Sequence, residues 1–320
     1  PEGKTLVDFT ALGYKTSEYS YVKGVVLGAN TGSKSGLGPK SIWIGAEGGA
    51  GKNPTVGQAD GGVLIGYRVA YDTYDVGRSV LIGTQAADSA FSSTAMVTIG
   101  TRAARGNSTG GVAIGYEALT QTNNTQAKNV AIGYKALSSL TTGTGNIGIG
   151  SNTLLASVTG NRNTAIGEGA GSKLSSSGSN NIFIGINAGT SGGDGNVCIG
   201  TGTGAGITGS NNILLGFNSG NGILGGSNNT IIGPVTGSFL NNISDNFILA
   251  DGDGNIRMWF NANGALAFGT STTPNFGTDG APLMSTGSGG APKWGSGATK
   301  STTLPDGRVF IVKNGVVSTP

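Results

Sequence analysis

No histidine occurs among the 320 residues, and cysteine occurs once, as Cys198. Without histidine the chain lacks the commonest general base, the base of Ser-His and Cys-His nucleophile pairs, and the commonest metal ligand. A single cysteine forbids an intrachain disulfide framework and a cysteine-rich zinc site. Charge is scarce as well: Asp, Glu, Lys and Arg make up 11% of the chain, less than half of the ~25% usual in a soluble domain. The net charge of +3 comes from scattered Lys and Arg with no basic run interleaved with aromatics, so nucleic acid is not an expected partner. No run of 18 apolar residues exists, and no membrane insertion is expected. Proline is sparse at 9, whereas glycine reaches 62. Collagen is excluded because glycine does not recur at every third position. Disorder is disfavoured because Val, Ile and Leu are plentiful and regularly placed. The chain opens on Pro-Glu-Gly-Lys with no visible signal peptide, which reads as a processed chain or a piece of a longer one.

What is present is an internal repeat. An Ile-Gly or Leu-Gly pair places its glycine at positions 13, 28, 45, 66, 83, 100, 115, 133, 150, 167, 185, 200, 216 and 233. The gaps run from 15 to 21 residues and average about 17. The clearest rungs are Ile114-Gly115, Ile132-Gly133, Ile149-Gly150, Ile166-Gly167 and Ile184-Gly185. Three before each glycine stands a β-branched residue, from Thr10 and Val25 through Val112, Val130 and Ile147 to Thr230. Three after it stands a small residue, such as Ala86, Ala118, Ala136 or Ala170. Helical arrays repeat at about 33 residues or more and would not carry this much glycine and β-branching. The pattern predicts an all-β parallel β-solenoid of about 17-residue coils, stacked roughly 4.8 Å apart. The glycine marks a corner where φ is positive.

Residues one and three before the glycine lie two apart on a strand and therefore share a face, which we expect to be the core. The column between them runs Ala11, Val26, Trp43, Leu64, Leu81, Thr98, Ala113, Ala131, Gly148, Ala165, Phe183, Cys198, Leu214, Ile231. It carries no charge, and on this reading it points away from the core. A strand apolar on both faces is buried on both, so an identical chain is expected to cover that column in a homotrimer. Small residues at Ala113, Ala131, Gly148 and Ala165 would then let three chains approach a common axis. Four before the glycine, Asn129, Asn146, Asn163, Asn181, Asn196, Asn212, Asn229 and Asn246 form a further column, expected to stack as an amide ladder.

The units Asn-Val-Ala-Ile-Gly-Tyr-Lys-Ala-Leu (129–137), Asn-Thr-Ala-Ile-Gly-Glu-Gly-Ala-Gly (163–171) and Asn-Ile-Phe-Ile-Gly-Ile-Asn-Ala-Gly (181–189) resemble head repeats of trimeric autotransporter adhesins. Bacteriophage tail fibres carry the same repeats. The segments 246–257, 263–270 and 281–294 resemble the end of such an array and the linkers near a fibre tip. The resemblance spans roughly residues 10–295 and implies a trimer of left-handed parallel β-rolls. Two departures stand out: the repeat is longer than the adhesin unit, and no anchor barrel or coiled-coil stalk is seen.

The expected organisation is a lead-in (1–9), the solenoid (10–250), a β-hairpin cap (251–275), a Gly/Ser/Pro-rich linker (276–300) and a C-terminal strand pair (301–320). Candidate sites are few. Asp251, Asp253 and Asn255 are spaced as in a calcium loop, but Ile256 and Ala262 occupy positions where such a loop needs Gly and Glu, so a turn is expected. The stretch 45–52 departs from a phosphate loop in spacing and in Asn53. The glycines of 200–206 belong to corners. Cys198 reads as an inert buried thiol. Tyr67, Tyr116 and Tyr134, each one after a glycine, shield the corner or stack on sugars. Trp294 is the one candidate receptor contact, because nothing periodic explains it.

The expected function is a structural and host-receptor-binding tail fibre of a tailed bacteriophage, located in the virion and adhering without catalysis. It needs no cofactor and no metal. Its expected partners are two further copies, other tail proteins, and a host cell-surface glycan or protein. The alternatives are a fragment of a bacterial trimeric surface adhesin and a capsule-degrading tail spike.

Overall fold

The computed structural model describes residues 9–14, 24–30, 40–48, 61–71, 76–88, 95–105, 110–120 and 128–268, together with five short strands between 283 and 318. Fifteen strands follow the glycine repeat. They are β1 (Phe9–Leu12), β2 (Gly24–Ala29), β3 (Ser41–Ala46), β4 (Val63–Tyr67), β5 (Val80–Ile82), β6 (Val97–Ile99), β7 (Val112–Ile114) and β8 (Val130–Ile132), then β9 (Ile147–Ile149), β10 (Thr164–Ile166), β11 (Ile182–Ile184), β12 (Val197–Ile199), β13 (Ile213–Leu215), β14 (Thr230–Ile232) and β15 (Phe247–Ala250). Each pairs in parallel with the next, and the register places like on like: Ile114 beside Ile132, Ile132 beside Ile149, Ile149 beside Ile166. The result is a parallel β-solenoid with about 17 residues per coil. No α-helix occurs among the described residues.

The corner needs glycine for two reasons that act together. Gly133 sits at φ +135°, and a Cβ built on it would lie 2.4 Å from the carbonyl oxygen of Gly150 in the next coil. Any side chain there would be strained and would also push the stacked corners apart.

The in-register columns are as the repeat predicts, but the face is reversed. The middle residue of each three-residue strand points inward: Leu81, Ala113, Ala131, Ala165, Phe183, Cys198, Leu214 and Ile231 are fully buried within the single chain. The flanking Ile and β-branched columns point outward, with Ile149 at 37% and Ile213 at 42% exposure. Alternation fixes that the two columns share a face but does not say which face is enclosed. A coil this thin has room for one inward residue per strand, and a three-residue strand has one central position.

The interior is closed by the turn that follows each corner. Ala86, Ala103, Ala118, Ala136, Ala170 and Ala188, three after the glycine, are buried. The next position compensates for the strand residue. Where the strand offers Ala113, Ala131 or Gly148, the turn offers Leu119, Leu137 or Leu154, all fully buried. Where the strand offers Phe183, Cys198 or Leu214, the turn offers Gly189, Gly204 or Gly220. A Cβ on Gly148 would meet Leu137 Cδ1 at 2.6 Å, and one on Gly189 would meet the Phe183 ring at 2.0 Å. The small residues Ala113, Ala131, Gly148 and Ala165 therefore make space for the chain's own side chains, not for a threefold axis. Large and small trade places in these layers. At Ala165, where the turn offers Gly171, the space is filled from the neighbouring coils: a Cβ on Gly171 would meet Leu154 Cδ2 at 2.7 Å and the Phe183 ring at 3.0 Å.

The asparagine column lies at the inner edge, and from Asn129 to Asn229 every member is fully buried. Asn146 donates its backbone N–H to Asn129 Oδ1 at 2.8 Å and its Nδ2 to the same oxygen at 3.2 Å and to the Gly160 carbonyl at 2.8 Å. Asn163 repeats this on Asn146 and Gly178, and the chain of amides continues to Asn246. An earlier coil uses a simpler form, in which the Met96 N–H donates to Ser79 Oγ at 3.1 Å. The ladder ends where β16 (Ile256–Phe260) and β17 (Leu266–Phe268) fold antiparallel onto β15. There Trp259 Nε1 donates to Asn246 Oδ1 at 2.7 Å, filling the acceptor that a further coil would have used.

Within the stretch 276–300, β18 (Leu283–Met284) and β19 (Lys293–Trp294) pair antiparallel. β20 (Lys300–Thr303), β21 (Val309–Lys313) and β22 (Val316–Ser318) form a separate antiparallel sheet.

Candidate interaction surfaces

The dominant surface is the outward strand face. Two rows made up chiefly of Ile and Val, with some Leu and Thr and one Phe, run along it, one residue from each row per coil. Ile42, Ile44, Ile99, Ile147, Ile149, Ile166, Ile182, Ile199 and Ile213 all keep more than a third of their surface in contact with solvent. No charged side chain interrupts either row from β2 to β15. Such a strip exposes on the order of 1,000 Å² of apolar area, well beyond the ~300–600 Å² largest patch of an ordinary monomer.

The strip is bordered by the residues just past each corner. Tyr116 and Tyr134 stack with centroids 5.5 Å apart and rings within 10° of parallel. Lys135 Nζ lies 5.3 Å from the Tyr134 centroid. The two rings face each other along the rod, which spends their facing surfaces on each other and favours shielding of the corner over sugar stacking. Tyr67 donates its hydroxyl to Glu47 at 3.1 Å, and that bond to a carboxylate, with partial burial, pushes the phenol above its usual range. One position further on, a short charged ladder climbs the coils. Arg102 donates to Gln85 Oε1 at 3.3 Å and to Glu117 Oε1 at 3.3 Å, and Lys135 approaches Glu117 at 3.7 Å. Partial desolvation opposes ionisation of Glu117, but hydrogen bonds from Tyr116 and Arg102 and the charge of Lys135 hold its carboxyl below the ordinary value.

The acidic turn is self-contained. Asp251 Oδ1 accepts the backbone N–H groups of Asp253 and Asn255, both at 3.0 Å. The Asn255 amide donates to both of its carboxylate oxygens, and the Arg257 guanidinium closes on Oδ2. The Asn255 hydrogen bond leads in drawing the Asp251 carboxyl down to about 2. Among the described residues, no three His, Cys, Asp or Glu side chains converge as a metal-binding group. Gly200, Gly202, Gly204 and Gly206 all sit at positive φ within the turns of one coil. Burial pushes the Cys198 thiol up to about 12, which leaves it unreactive at neutral pH. Trp294 lies on β19 with its side chain outside the described residues, and residues 49–52 of the stretch 45–52 lie outside them too.

Comparison of the chain with family models, with curated proteins and with solved structures finds no match. The surface that sequence reasoning placed in the core is therefore read from the geometry alone. One signal could have located it: the size exchange between Phe183 and Gly189, or between Ala131 and Leu137, pairs the strand's middle column with the turn. Two columns that compensate in volume must touch.

Proposed function

We propose that this chain is the rod and host-binding part of a tailed bacteriophage fibre, that it acts as a homotrimer, and that it adheres without catalysis. The observation that carries the reading is the outward Ile and β-branched face. An uninterrupted apolar strip along the rod calls for a cover of the same length and periodicity, and another copy of the solenoid offers both. Its area is of the order of the ~800 Å² that each partner of a stable interface contributes. Three parallel rods would enclose three such strips along one axis. The adhesin-like repeats of 129–137, 163–171 and 181–189 support the same assembly. The twofold question, assembly and setting, is answered by two measurements. The mass in solution should be three times the chain's 31.6 kDa, and a monomer would overturn the assembly. Antibodies to the chain should decorate the fibres of a phage that encodes it and block adsorption; decoration of the bacterial surface instead would support an adhesin.

A further inference from the structure

We propose that the groove beside Ser238–Leu240 binds a neutral oligosaccharide, which deepens the adhesive reading above and rests on it. After Gly233, Pro234 and a single 3-10 turn (Ser238–Leu240) replace the course that the preceding described coils take after the corner. The Gly237 N–H donates to the Asn221 carbonyl at 3.0 Å, and Asn221 and Thr236 form an isolated parallel bridge. Beside this bridge lies a groove of about 450 Å³, lined chiefly by Asn221, Leu224, Thr236, Ser238 and Asn241. No charged residue lines it.

Some short polar side chains of the rod tie coils together. Thr141, Thr159 and Thr208 donate to the carbonyl of the neighbouring coil at 2.9, 3.2 and 2.7 Å, and Asn242 Oδ1 accepts the Gly225 N–H at 3.1 Å. Those lining the groove do not. Among the described residues, the side chains of Asn221, Thr236, Ser238 and Asn241 make no hydrogen bond, and all four are exposed. Two amides and two hydroxyls thus line one groove, each able to donate and to accept. Leu224, 51% exposed, supplies an apolar contact among them. Vicinal hydroxyls flanking a C–H face are the ligand chemistry that matches this set. A phosphate or an acidic sugar would find no cation in the lining. An open groove with four neutral polar contacts gives weak single-site binding, which three copies on one rod would multiply through avidity.

The test uses the full chain in its native assembly on an array of neutral hexose and N-acetylhexosamine oligosaccharides, with sialylated and phosphorylated glycans as acidic controls. Binding to one or more neutral glycans is expected. It should fall at least tenfold in Asn221→Ala/Asn241→Ala, whose melting temperature and mass should match the parent. Absence of binding to every neutral glycan, preference for the acidic ones, or binding unchanged in the double variant overturns the proposal. The mass measurement stands apart: a monomer that still binds through the groove sinks the trimeric fibre and leaves the groove, whereas a trimer indifferent to neutral glycans does the reverse.

Discussion

At the scale of single residues, burial here is decided by partners one coil away. Asn163 illustrates this, since its Oδ1 accepts both the backbone N–H and the side-chain amide of Asn181 at 3.0 Å. Asn163→Ala strips a buried acceptor from two donors of the next coil, and removes an amide that donates to Asn146 Oδ1 in the preceding coil and to the Gly178 carbonyl in the next. With each orphaned buried group costing about 1–3 kcal/mol, we expect a loss of at least about 3 kcal/mol in denaturant unfolding. A change below about 1 kcal/mol would show that the amide ladder is ornament. Asp251 is the residue whose ionisation matters at the cap. Its folded value, about 2, lies below the ordinary 3.8, so the stabilisation is complete above 3.8 and is lost as pH falls toward 2. The amide resonances of Asp253 and Asn255 should hold their positions to pH 4 and move together below it. With no histidine in the chain, stability should otherwise be level between about pH 5 and 8.

At the scale of the coil, the repeat period, the in-register columns, the glycine corners and the asparagine column are all legible in the sequence, because each is a local requirement repeated many times. Ile114, Ile132, Ile149 and Ile166 do form one column. The face they occupy was not legible from alternation, which is symmetric between inside and outside. Nor was the groove, since it depends on the place where repetition fails. The volume exchange across the coil gives the face away, and it supports a double-mutant test. Phe183→Ala should cost about 3–5 kcal/mol by leaving a cavity. Gly189→Leu alone should also destabilise, because its Cβ would lie 2.0 Å from the Phe183 ring. Leu137 holds the equivalent place at φ +51°, so the backbone there accepts leucine. Combining Phe183→Ala with Gly189→Leu rebuilds the Ala131/Leu137 arrangement, and the double variant should be more stable than either single one. Additive losses would mean that the two sites do not share a layer.

At the scale of the whole molecule, the reversed face separates folding from assembly. The inward column belongs to the single chain, so the coil can close without a partner. The outward rows contribute little to closing the coil and are free to serve an interface. Substitutions on the two faces should therefore have different consequences. Leu214→Asp places an unpaired carboxylate in the interior, at a cost of several kcal/mol, and should unfold the neighbouring coils whatever the state of assembly. Ile149→Glu/Ile166→Glu places two carboxylates on adjacent rungs of the outer strip, where water can reach them in an isolated chain. In a trimer the same change would bring six carboxylates together along one axis, where none has a cation to pair with. The expected outcome is a particle of 31.6 kDa in place of one three times as large, with the far-ultraviolet circular dichroism of the parent. If the variant keeps the parent's mass, the strip is covered by something other than the outer faces of sister chains. If it loses its β signal as Leu214→Asp does, the coil needs the interface to fold, and closure and assembly are one event.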